Sequence, residues 1–174
     1  MRTNIYLPEP KPIGFLFTDT RIALVWLFLR FYLGYEWITA GWAKFTDANG
    51  MWIGAKAGTA ITGFLNGALQ KTTGAHPDVS GWYAWFIQNV ALPHAVIFSY
   101  IIVFGEMAVG LGLIVGLFTA LAAFFGAVMN LNFLFAGTVS INPFMLLLEI
   151  LILFAWRTCG YWGLDYFRME RRLK

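Results

Sequence analysis

The chain has 174 residues and a mass of 19.6 kDa; 59% of its residues are hydrophobic, 18% aromatic and only 12% charged, and its mean hydropathy is +0.67. That leaves too little polar surface to coat a water-soluble particle of this size, and it excludes a disordered chain, a disulfide scaffold and a nucleic-acid-binding domain. The net charge of +3 and pI near 9.1 come mostly from Lys and Arg near the two ends, so the composition predicts an integral membrane protein that contacts the lipid bilayer.

Residues 1–20 hold Pro8, Glu9, Pro10, Lys11, Pro12 and Asp19. They lack the compact apolar stretch of a cleavable signal and read as a retained polar tail. A first hydrophobic segment covers about 22–43, interrupted by Arg30 and Glu36. Residues 45–94 form a long connection with two semi-apolar stretches, 59–69 and 82–92, separated by the polar run 71–78. Trp82, Tyr83, Trp85 and Phe86 give the second stretch the composition of an interfacial belt. This connection is expected to form short helices or turns across one mouth of a bundle. Further hydrophobic segments cover about 95–118, 120–137 and 141–159, before a basic tail at 168–174.

Each of the four segments is long enough to cross about 30 Å of hydrocarbon. Thr119 alone separates the second from the third, and 138–140 joins the third to the fourth. The expected fold is therefore an all-α, antiparallel four-transmembrane-helix bundle over residues 21–167. Arg2, Lys11, Arg21, Arg168, Arg171, Arg172 and Lys174 lie near the ends, against Lys44, Lys56 and Lys71 in the much longer connection. That bias predicts a multi-pass cell-membrane protein with both termini cytoplasmic.

One cysteine, Cys159, allows no intrachain disulfide and no thiol pair, and it reads as a packing residue. His76 and His94 are too few for a metal cluster, and no metal, haem or flavin signature occurs. The informative residues are the charges within the hydrophobic segments, because each costs at least about 2.5–3.5 kcal/mol at mid-bilayer. Counting rise per residue from the segment ends puts Arg30, Glu106, Asn130 and Glu149 at nearly one depth, one from each helix. Arg30, Gly34, Trp37, Gly41 and Lys44 share a face of the first helix, from which Glu36 points away. Asn142, Glu149 and Trp156 repeat every seven residues on the fourth. On the second, Glu106 shares a face with Gly110, while Ala108, Gly112 and Gly116 line the opposite face for close helix contact.

Two readings follow. In one, Arg30 and Glu106 form a buried ion pair that only fixes helix register. In the other, Arg30, Glu106 and Glu149 line an intramembrane polar site, with Glu149 as the protonatable group and Trp37, Asn130 and Trp156 bordering a ligand.

The string RFYLGYEWITAGWAKF (30–45) resembles the opening signature of the DoxX family of small four-span membrane proteins, at Arg30, Gly34, Ala40, Gly41 and Lys44. GEMAVGLGLIVGLFTALAA (105–123) resembles the family's second signature, and GLDYF (163–167) its closing segment. The position after Thr119, often basic in the family, is Ala120 here. The run LNFLFAGTVSINP (131–143) is similar to the DoxD-type branch, named for the small subunit of thiosulfate:quinone oxidoreductase. The resemblance implies a membrane bundle, and either a quinone-dependent oxidoreductase acting on a small donor such as thiosulfate, or a non-catalytic membrane partner or assembly factor of a larger complex. A partner subunit and a homo-oligomer are both compatible with it.

Overall fold

The computed structural model describes residues 10–168, all of them helix, turn or irregular backbone. Arg2, Arg171, Arg172 and Lys174, on which the orientation partly rests, lie outside the described residues. Helix α1, Lys11–Thr18, starts after Pro10 and carries proline in its first turn, where the missing N–H costs nothing. None of its residues is buried. Asp19 is extended and accepts the Arg21 amide at 2.9 Å, which turns the chain into a single 3₁₀ turn and then α2, Ala23–Phe45.

The long connection contains α3, Thr59–Leu69, and α4, Gly81–Phe86; α4 continues through a wider turn at Ile87–Ala91. Ile61, Leu65, Val79, Tyr83 and Ile87 close into a small core of their own with Ala136. Lys71 Nζ donates to the Gly137 carbonyl at 2.7 Å and the Tyr83 hydroxyl to that of Asn132 at 3.0 Å. The connection is thus a cap fastened to the turn after α6.

The rest is α5, Ala95–Val115, α6, Thr119–Phe135, and α7, Asn142–Phe154. Helix α2 packs on α5, α5 on α6, α6 on α7, and α7 returns to α2, so four helices form a closed ring. Trp26, Leu33, Trp37, Leu113, Ala123, Met145 and Ile152 fill its centre. The segment from Thr20 to Phe45 and α5 are long and apolar enough to cross a membrane, whereas α6 and α7 are shorter.

Two segment ends differ from the sequence expectation. The second helix stops at Val115, three residues before Phe118, because Gly116 takes a left-handed conformation (φ 68°) and both Gly116 and Leu117 amides close on the Gly112 carbonyl. This is the glycine stop that satisfies terminal carbonyls. The fourth stops at Phe154 instead of 159, and the chain then runs through turns whose carbonyls are used elsewhere.

The α2–α5 contact also differs. It runs through Gly34, Gly41 and Gly110, since a Cβ at Gly34 would lie 2.9 Å from the Gly110 carbonyl and one at Gly41 would lie 2.9 Å from the Met107 amide. Ala108 is exposed, and so are Ile97, Ile101, Phe104 and Leu111, so α5 turns one face outward instead of being enclosed on both. Of the small residues opposite Glu106, Gly112 faces Ala122 of α6 and Gly116 abuts the Arg30 guanidinium.

Candidate functional site

Arg30, Trp37 and Lys44 recur every seven residues along one face of α2, about 10 Å apart. Each anchors a separate polar centre.

At the end of the bundle away from the cap, the inner centre in that sense only, Arg30, 1% exposed, donates only to backbone carbonyls. Nε reaches Leu113 at 2.9 Å and Nη2 reaches Ile114 at 3.4 Å, both at the C-terminus of α5. Nη1 reaches Cys159 at 2.9 Å and Nη2 also reaches Trp162 at 3.2 Å. A helix C-terminus leaves four carbonyls unpaired and carries partial negative charge, which a guanidinium neutralises. After α7 the chain leaves helical geometry inside the bundle, where backbone carbonyls need donors, and Arg30 supplies them at Cys159 and Trp162.

Asp165 completes this knot. Its carboxylate accepts the amides of Phe118 at 3.0 Å and Thr119 at 2.8 Å, capping α6, while its own amide donates to the Gly116 carbonyl at 2.8 Å. Phe118 has φ 51°, uncommon for a large side chain, and its amide is held by that carboxylate. Partial burial alone would raise the Asp165 carboxyl. The amides of Thr119 and Phe118 and the Arg168 guanidinium outweigh it and hold the group below its ordinary value.

The middle centre is Glu149 on α7, fully buried, with Trp37 and Asn130. Trp37 Nε1 donates to Oε1 at 2.7 Å and Asn130 Nδ2 donates to Oε2 at 2.8 Å. Asn130 Oδ1 is buried with no donor within reach among the described residues. Among the described residues no cation touches the carboxylate.

At the outer centre Lys44 Nζ bonds both oxygens of Glu106, at 2.9 and 2.7 Å, beneath the Trp52 ring. This corrects the expected pairing. Glu106 belongs to Lys44, and Arg30 contacts α5 seven residues further on, about 10 Å away.

Arg30, Glu106 and Glu149 therefore do not line a single site. The common depth came from counting along hydrophobic runs whose ends are not helix ends. Ending α5 at 115 and α7 at 154 shifts those levels by about 5–8 Å. Trp156 is corrected too: the helix ends before it, the seven-residue stripe breaks, and the ring is 59% exposed under the Arg157 guanidinium. Trp37, Asn130 and Glu149 do come together. Lys44 and Asp165, left without a role from sequence, are central; Lys44 had a visible signal in its place on the Arg30–Trp37 face.

The middle centre has little room for an aromatic head group such as a quinone ring. A Cβ at Gly126 would lie 2.5 Å from Glu149 Oε1 and 3.1 Å from Trp37 Nε1, so carboxylate and indole pack directly on the α6 backbone. A ring does not fit between Trp37 and Glu149 in this packing.

The sequence model of the DoxX family matches residues 25–138, which includes the α2 face and both helices joined by the turn at Gly116–Phe118. No curated protein and no solved structure matches the chain at a significant level.

Proposed function

The chain belongs to the DoxX family of membrane proteins, and from that premise we propose that it serves as a non-catalytic membrane partner of a larger complex. The observation that carries this reading is the closure of its polar centres. Arg30 is held by four carbonyls, Glu106 by Lys44, and Glu149 by two donors and the α6 backbone. Such networks fix helix register and present an outer surface. All four bundle helices cross the bilayer in this reading, with both termini cytoplasmic and the cap outside. Exposed Leu121, Phe124, Phe125, Phe144, Leu147 and Ile150 support it as a lipid-facing belt on the two shorter helices.

A second reading is quinone-linked oxidation of a small donor such as thiosulfate, in the DoxD manner. It is favoured by Glu149, a buried carboxylate with neutral donors and no cation, placed to hold or release a proton. It requires the middle centre to open.

Gentle purification decides between them. The partner reading expects stable co-purification with a defined complex, no stoichiometric quinone in the lipid extract and no thiosulfate-dependent turnover by the chain alone. Quinone at one per chain together with turnover by the isolated protein would overturn it.

A further inference from the structure

The outward face of α2 is polar where a lipid-facing helix should not be. Phe28, Tyr32, Tyr35, Glu36 and Thr39 fall on one side, and Tyr35 is 62% exposed. Glu36 lies nine residues short of Phe45, the end of the span, hence about 14 Å inside it. It is half-buried, and its carboxylate has no hydrogen bond or ion pair among the described residues. The Tyr32 and Tyr35 hydroxyls also lack partners there. Tyr32 meets the edge of Phe144 on α7, at 6.0 Å between ring centres, which puts the patch beside the α2–α7 seam. Thr39 folds back onto the carbonyls of Tyr35 and Glu36.

A carboxylate in hydrocarbon requires a partner. The two long spans have none to offer: their other charges are Arg21, Arg30, Lys44 and Glu106, and all three cations are engaged internally, Arg21 with Asp19 at the very end of the span. A second copy would bring the same surface, with its own Glu36 and, within its two long spans, no free cation among the described residues. We propose that this face of α2 docks a transmembrane helix of a different protein carrying a lysine or arginine at mid-depth, with Glu36 as its counter-charge and the two tyrosines flanking the contact. This rests on the reading of the chain as a partner subunit.

The test uses the full-length chain in phosphatidylcholine vesicles with a dye-labelled oligoleucine transmembrane peptide containing one central arginine, followed by energy transfer. Wild type should bind it at least about tenfold more tightly than the all-leucine peptide. Glu36→Leu should abolish that difference and Glu36→Asp should retain most of it, with helix content and thermal midpoint of each variant matching wild type. Equal binding of both peptides by wild type, or undiminished preference in Glu36→Leu, overturns the proposal. So does energy transfer between two labelled copies that Glu36→Leu abolishes, since the occupant would then be a second copy. A native complex that survives Glu36→Leu would overturn this face and leave the partner reading standing.

Discussion

The inner end of the bundle and its middle both bury an ionisable side chain completely, and they surround it differently. Arg30 meets backbone carbonyls from the last turn of α5 and from the non-helical segment that follows α7. Glu149 meets two neutral side chains on two well-formed helices, beside a glycine backbone. The first arrangement makes the charge a fastener, because those carbonyls lose their side-chain donor unless it is present. The second makes the group's identity matter less than its shape, since a neutral amide of the same outline has acceptors and donors to meet.

The comparison is broken most sharply at Arg30. Arg30→Leu removes donors from four carbonyls, two of them in turns with no helical alternative. The expected cost is about 3 kcal/mol or more, read as a lowered unfolding midpoint in detergent and poor expression. Glu106→Gln tests the outer centre and should cost less, about 1–2 kcal/mol, because Lys44 is 21% exposed and can turn toward water. If Glu106→Gln instead matched Arg30→Leu, Arg30 and Glu106 would behave as one unit, against the geometry.

The knot should also be acid-sensitive. Asp165 has a depressed carboxyl, so its stabilisation is fully present above its unfolded value near 3.9 and is lost as pH falls through the lower folded value. Protonation frees the amides of Phe118 and Thr119. Thermal midpoints measured downward from pH 6 should therefore fall below about pH 4, and less steeply in Asp165→Asn. Identical slopes would remove Asp165 from the knot.

The face of α2 was legible from sequence because phase depends only on counting within one helix. Arg30, Trp37 and Lys44 stand together as that count requires. Depth was not legible, because it depends on where helices stop. The glycine stop at Gly116 was visible as a residue, yet Gly116 was read as a packing position inside the helix. The stop at Phe154 has no local signal at all: Ala155, Trp156 and Arg157 are ordinary helix residues, and two carbonyls of the unwound segment are met by a distant arginine. Pairing went wrong for the same reason, since Arg30 was matched by level to the nearest acid while helix-terminal carbonyls went uncounted as acceptors.

The smallest stability effect is expected at Glu149, and its smallness is the informative result. In Glu149→Gln the new Oε1 can still accept Trp37 Nε1, but the amide nitrogen would confront Asn130 Nδ2. Asn130 can resolve this by turning its amide over, because its Oδ1 is buried with no donor and would then accept from the new amide. The flip exchanges one buried unpartnered atom of Asn130 for another while the new amide keeps both of its contacts, so the midpoint should move by about 1 kcal/mol or less. Asn130→Leu combined with Glu149→Gln removes that escape and should cost more than the two single changes added together. A large loss from Glu149→Gln alone would mean that the negative charge itself is required at the middle centre. That result would weaken the partner reading and favour the one in which Glu149 exchanges a proton.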